Sequence, residues 1–379
     1  MRVVIAPDSF KECLAADQVA RALGRGWANA APRDEIIEVP LADGGEGTTV
    51  ALTEALNGTL HSVTVTGPLG DPVVARYGIA NDSDTAIIEV AEGSGLHCVA
   101  PDERNALMAS SYGTGELMLE ALEHKPKVLV MGLGGSATTD GGAGILQALG
   151  AKLLDKNGNR IPAGGIGLGK LASLDLQPAI DALGDTRLVV ACDVNNPLTG
   201  PKGAAVVFGP QKGASIQQLI KLDTNLAHFA RLAKKQGWDI ASFPGSGAAG
   251  GIGGMAAGIL GAQLRPGIEL VMETVELERH IQHADLVITA EGAIDNQSAY
   301  GKTPAGVAQM ARKHGVPVVG FAGMLGLDFS ALQAQGLTAA FSITRGPMEL
   351  QSAYAQAETS LEQCAEQLAR LTHALRKHD

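Results

Sequence analysis

Lysines, carboxylates and glycines gather in a few loops of this chain, in pairings that suit the handling of a phosphate. In Tyr300-Gly301-Lys302-Thr303-Pro304, Thr303 is placed to cap a following helix and Pro304 to open it. Backbone donors, the helix dipole and the Lys302 ammonium would then face one anion. The segment carries the Gly-Lys-Thr tail of a Walker A motif, but the earlier glycine that motif requires falls at Asn296, so it is not a P-loop. A well-capped helix with a solvated lysine is the competing reading. Just upstream, Glu291-Gly292-Ala293-Ile294-Asp295 reads as a loop that sets two carboxylates beside the phosphate site. Mg2+ shared between carboxylate and phosphate oxygens is expected there, although ordinary turn chemistry would also account for Asp295.

Asp8-Ser9-Phe10-Lys11-Glu12 ends the first apolar run. Ser9-x-x-Glu12 has the spacing of a capping box at a helix start, which leaves Asp8 and Lys11 for chemistry. A lysine there can hold a substrate carboxylate or a phosphate. Leu41-Ala42-Asp43-Gly44-Gly45-Glu46-Gly47-Thr48 sets Asp43 among glycines suited to a hinge or to close approach by a ligand. The stretch from Gly132 to Gly142 matches Gly-x-Gly-x-x-Ala, and Asp155 follows at a distance suited to a ribose contact, so a dinucleotide site has to be weighed. However, Thr139-Asp140-Gly141-Gly142 interrupts the first turns of the helix that such a site needs. A loop that cradles phosphates through N–H groups and hydroxyls is favoured, with Gly134, Gly135, Ser136 and Thr138 as its contacts. The plainer alternative is a turn that only lets a strand and a helix pack.

Two further loops carry a single charge each. Ala191-Cys192-Asp193-Val194-Asn195-Asn196 closes a strand-like run, and Asp193 could bind metal, accept a hydroxyl proton, or simply form a turn. Phe208-Gly209-Pro210-Gln211-Lys212-Gly213 offers Lys212 in a sharp loop. The glycine-rich turn from Gly245 to Gly254 selects no ligand.

None of the nine histidines falls in these loops, and neither His-Glu-x-x-His nor Gly-x-Ser-x-Gly occurs. Hydrolytic triads and zinc chemistry lose ground. Phosphoryl transfer needs positioning, positive charge and Mg2+ more than a strong nucleophile, and it fits what remains. A formal net charge of −11 argues against a nucleic-acid or anionic-membrane partner. No apolar run reaches the ~18 residues of a membrane span. The run ahead of Pro7 is too short for a signal-peptide core. Cys13, Cys98, Cys192 and Cys364 show no Cys-x-x-Cys spacing, so reduced thiols in a cytoplasmic protein are expected.

These loops need elements to hold them. Short β-branched runs at 2–6, 35–39, 285–289, 316–321 and 339–343 have the length of buried parallel strands. Helical patterns at 15–28, 305–313, 330–335 and 349–376 separate or follow them. Strand–helix repeats imply right-handed crossovers and a parallel sheet. The fold expected is therefore α/β with two domains. A flavodoxin-like doubly wound sheet of order 2-1-3-4-5, residues 1–45 plus 284–379, is interrupted by a large inserted α/β domain, residues 46–283. Strand candidates within the insertion are 62–66, 85–90, 127–131 and 188–191. In that order the loops after the first and third strands diverge and open a crevice at their carboxyl ends.

Taken together, Ile5 to Glu12, Ala42 to Thr48, Gly134 to Gly142, Ala191-Cys192-Asp193, Phe208 to Gly213 and Glu291-Gly292 resemble the bacterial class I glycerate kinases, in one order along nearly the whole chain. The resemblance implies ATP, Mg2+ and D-glycerate, with 2-phosphoglycerate as product and a substrate site between the domains. The resemblance does not fix individual residues; on the residue chemistry above, Asp193, Lys11 and Asp8 are assigned to catalysis, and Asp43, Lys212 and Asn195 to substrate. Gly134, Gly135, Ser136, Thr138, Lys302 and Thr303 are assigned to ATP, and Glu291 and Asp295 to metal. The rivals are phosphorylation at the 3-hydroxyl, a nicotinamide-dependent hydroxy-acid oxidoreductase, and a non-catalytic metabolite binder. The choice between monomer and homodimer stays open.

Overall fold

The computed structural model describes residues 1–10, 13–42, 44–45, 47–299 and 302–376. Its strands are β1 (Arg2–Ile5), β2 (Glu35–Glu38), β3 (Thr59–Thr66), β4 (Pro72–Ile79), β5 (Thr85–Glu89), β6 (Val128–Gly132) and β7 (Lys152–Leu154). They continue with β8 (Ser173–Asp175), β9 (Arg187–Ala191), β10 (Gln263–Arg265), β11 (Leu286–Ile294), β12 (Val318–Leu325) and β13 (Ala339–Ser342). The chain divides into two compact units, Met1–Asp43 with Ile268–Asp379, and Gly44–Gly267.

The first unit is built on a sheet of order β13-β12-β11-β1-β2 in which every neighbouring pair is parallel. This is the 2-1-3-4-5 order that the apolar runs and crossover rule lead to. Val3, Val4 and Ile5 are wholly buried because helices cover both faces of a parallel sheet, and an all-apolar run satisfies both. The core joins Ile5, Leu23, Trp27, Ile288, Phe321 and Leu361; each such side chain contributes ~1.5–3 kcal/mol by leaving water.

Four local expectations need correction. The helix after β1 spans Ala16–Ala30, not a start at Ser9, and its first turn is closed by Gln18, whose Oε1 accepts the Ala15 N–H at 2.9 Å. The Ser9 side chain turns to Asp8 instead, and Glu12 lies outside the described residues. Strand β11 continues through the segment expected as a loop, since β12 extends alongside it to pair Ala293 with Met324 and Ile294 with Leu325. Thr303 is the first helical residue of Thr303–Lys313 and Lys302 its N-cap, one position earlier than expected. The second boundary falls at 268, ahead of 284. Ile268 and Met272 crowd the position a Cβ on Gly306 would take, at 2.7 and 3.0 Å, so their helix packs with the first unit.

The second unit carries a mixed sheet of order β10-β9-β6-β5-β4-β3. The strands from β5 through β6 and β9 to β10 are parallel, and β4 and β3 add on antiparallel. Its core includes Ile88, Leu117, Met131, Ile145 and Phe229. Strands β7 and β8 pair with one another outside this sheet. No helix among the described residues is long and apolar enough to cross a membrane.

Candidate active site

In the first unit the sequence-singled residues converge at the carboxyl ends of β1 and β11, adjacent strands whose connections leave in opposite directions. Asp8 follows β1 and is 7% exposed. Its Oδ1 accepts the Ser9 N–H at 2.6 Å, and its Oδ2 accepts the Thr303 hydroxyl at 2.5 Å. With both oxygens engaged, Asp8, expected as a catalytic group, ties the end of β1 to the start of the helix Thr303–Lys313. Lys302 reaches back to Glu291, Nζ to Oε1 2.8 Å, with its side chain about a third exposed. Ser298 Oγ lies 3.4 Å from the other Glu291 oxygen, and Asp295, just past the end of the same strand, donates its N–H to Ser298 Oγ at 3.2 Å. A lysine, carboxylates and a helix N-terminus thus share one strand end. Lys11, Tyr300 and Gly301 lie outside the described residues.

In the second unit Glu89, Gly132 and Ala191 stand side by side in register at the ends of β5, β6 and β9. Gly44 lies across them. A Cβ on it would come 2.7 Å from Ala191 Cβ and 3.7 Å from Asp193 Oδ2, and its φ of +86° is one that side chains rarely tolerate. Asp193 is exposed and its Oδ1 accepts the Gly267 N–H at 2.8 Å. Asn195 is exposed in the same segment, Gly134 is half-buried and Gly135 exposed. Asp43 lies outside the described residues.

The rest of the glycine-rich loop faces inward, contrary to expectation. Ser136 is 6% exposed and Thr138 fully buried. Lys212, 2% exposed, donates to Ser136 Oγ at 2.9 Å and to the Thr138 carbonyl at 2.6 Å. Asp140 is fully buried and accepts from Ser111 N and Oγ, both at 2.8 Å, from Gly142 N at 3.1 Å and from Gly144 N at 3.2 Å. Burial raises its pKa against those donors. The loop amides Gly142 and Gly144 are therefore spent on an internal carboxylate and are not offered to a phosphate. The loop from Gly245 presses on the same backbone, and a Cβ on Gly250 would lie 2.0 Å from the Thr138 oxygen.

Lys212 was expected on a substrate carboxylate, and its position beneath the loop corrects that. Burial lowers its pKa to about 7, and a neutral amine still donates both hydrogen bonds. Above about pH 10.5, where lysine carries no ionisation penalty in either state, Lys212→Met should destabilise by about 1–3 kcal/mol, by stranding a buried carbonyl. The folded protein holds this proton less tightly than the unfolded chain, whose lysine titrates near 10.5. Its penalty is full below about 7 and fades as pH rises toward 10.5, so urea titrations should show a flatter alkaline profile in the variant.

The dinucleotide reading loses its structural context. Strand β7 pairs with β8 outside the sheet of β6, so the compact unit of ~30 residues that a dinucleotide site needs does not follow the glycines; the parallel partner of β6 is the more distant β9. Asp155 spends its Oδ1 on its own turn, accepting from Asn157 N at 2.8 Å and Asn159 N at 3.0 Å. Two residues that brace these loops escaped the sequence reading. Glu89 carried a signal, a carboxylate inside an apolar strand run. Ser111 carried none, because its partner Asp140 is remote in sequence.

The family model for the glycerate kinase family matches residues 3–373. The chain is 48% identical to the glycerate kinase of Bacillus subtilis (strain 168), over 97% of both chains. It is also 48% identical to the glycerate 2-kinase of Escherichia coli (strain K12), over 90% of both. A Salmonella typhimurium LT2 crystal structure, provisionally described as glycerate kinase 2, superimposes with a TM-score of 0.91 at 46% identity, covering 100% of this chain and 99% of its own. On match length and identity alike, the chain belongs to the glycerate kinase family, whose members are phosphotransferases.

Proposed function

We propose that this protein, in the cytoplasm, transfers the γ-phosphoryl group of ATP to the 2-hydroxyl of D-glycerate, releasing ADP and 2-phospho-D-glycerate. The observation that supports it best is the Lys302–Glu291 pair at the start of the helix Thr303–Lys313, on the strand end next to β1. As N-cap, Lys302 stands where the helix dipole already favours an anion. Its ammonium would exchange the Glu291 carboxylate for a phosphate oxygen of ATP, while Asp8 keeps Thr303 and the helix start in place.

The donor set bears on Mg2+ as well. Among the described residues no three His, Cys, Asp or Glu side chains form a metal cage. Mg2+ that arrives on phosphate oxygens needs only one or two carboxylates from the protein. Glu291 and Asp295 would hold it, and it would neutralise phosphate charge. Asp193 would accept the proton of the glycerate hydroxyl, with Asn195 beside it for polar contact and the Gly134 and Gly135 amides open to an anion. Lys11 and Asp43 are assigned to the glycerate carboxylate and to substrate on sequence alone.

The test is ADP release from purified protein. Turnover should require both D-glycerate and Mg2+, vanish with a chelator and return when Mg2+ is restored. ATP consumption indifferent to glycerate would refute the assignment.

A further inference from the structure

Glu89 takes no part in the chemistry above, yet it occupies the middle of the second unit's strand ends. It is the last residue of β5, opposite Gly132, and only 2% exposed. Each carboxylate oxygen takes a backbone donor: Oε2 accepts the Gly47 N–H at 3.1 Å and Oε1 the Thr49 N–H at 2.5 Å. Gly47 sits at φ +94° as N-cap of the helix Thr48–Ala55. The Glu89 Cγ and the Gly44 carbonyl oxygen crowd one spot, 3.2 and 3.0 Å from where a Cβ on Gly132 would be. Gly44 in turn lies against Ala191 and near Asp193.

We infer that Glu89 is a positioning residue for the transfer proposed above, tethering Gly47 and Thr49 so that Gly44 is held over the strand end that carries Asp193. The inference rests on that reading of Asp193. A two-point carboxylate tether is a costly way to anchor a helix start, since serine or aspartate at the cap would do so at the surface. Burial lifts the Glu89 carboxyl to about 7 against the pull of the two amides, and the Glu92 carboxylate adds to the rise. Arg76 of β4, paired with Glu92 at 2.7 Å, is the cation facing both. The ionised form alone accepts from both amides through oxygens free of protons, so the tether should tighten as pH rises through about 7. Stability runs the other way. A carboxyl whose folded pKa lies above its unfolded 4.5 favours folding below that value, and this contribution is lost as pH rises through about 7. Glu89 would therefore give up stability at alkaline pH to keep its charge, a pattern suited to function.

Glu89→Gln keeps the shape and one acceptor oxygen but turns an NH2 toward one of the amides. Two measurements on the full chain decide the matter. In hydrogen exchange, which needs no substrate, Gly47 and Thr49 should exchange about ten-fold faster in the variant at alkaline pH. In steady-state assays kcat should fall about 10- to 100-fold, with loss of the acid limb near neutrality, while the melting temperature at alkaline pH stays at or above that of wild type. Unchanged exchange, or a wild-type kcat–pH profile in an active variant, overturns the inference. If wild type itself proves inert toward glycerate, the functional reading falls, and the exchange comparison still upholds or overturns the tether.

Discussion

Lys302→Ala lowers kcat by about 10²–10³-fold and leaves the fold standing. The ammonium is the cation placed at the N-terminus of an eleven-residue helix, where charge that builds on a transferring phosphoryl group would be met by lysine and dipole together. Its ground-state partner Glu291 is a partly exposed ion pair, worth ~1 kcal/mol or less to stability. The melting temperature should therefore shift by only a few degrees. Lys302→Arg keeps the charge but not the compact point geometry, and should recover part of the loss. A lysine that merely pairs with Glu291 would leave the alanine variant within a few-fold of wild type while still costing the small stability increment. Steady-state kinetics beside a thermal melt separates the two.

Asp193→Asn slows turnover by about 10²-fold or more with little change in stability. Asparagine retains a side-chain oxygen, so the bond that Asp193 Oδ1 accepts from Gly267 at 2.8 Å survives, and the residue is exposed enough for the amide to be hydrated. What asparagine cannot do is take a proton or carry negative charge. If the carboxylate only secures Gly267, the variant will be kinetically normal, and the base must be sought elsewhere. Comparing kcat with KM sharpens this, since a lost base reduces kcat whereas a lost glycerate contact raises KM.

The skeleton of the first unit was legible because its strands are buried on both faces. Runs such as Arg2 to Ala6 and Asp285 to Thr289 carry no alternation to confuse with helix, and the crossover rule then leaves little choice of order. The second unit was less so. Pro72–Ile79 mixes exposed and buried positions on an antiparallel flank, and Gln263–Arg265 is too short to announce itself. Among the candidate site residues, Lys302, Glu291 and Asp8 stand out in the sequence because motif spacing and strand ends coincide there, and the structure gathers them at the carboxyl ends of β1 and β11. Lys212 was located but misread. Nothing local in Phe208 to Gly213 says that Ser136 and Thr138, 76 and 74 residues away, will wrap the ammonium. Glu291 was likewise expected in a loop, because the glycines at 292 and 323 hide the continued pairing of β11 with β12. Contacts distant in sequence decide such matters, and a single chain read in order does not display them.

The most direct test of the central claim is phosphorus NMR of the purified protein with ATP, Mg2+ and D-glycerate, resolving the two phosphoglycerates. The account predicts ADP and 2-phosphoglycerate in equal amounts. A 3-phosphate product would contradict the assigned acceptor hydroxyl, and the absence of any phosphorylated product with either glycerate enantiomer would contradict the proposed reaction itself.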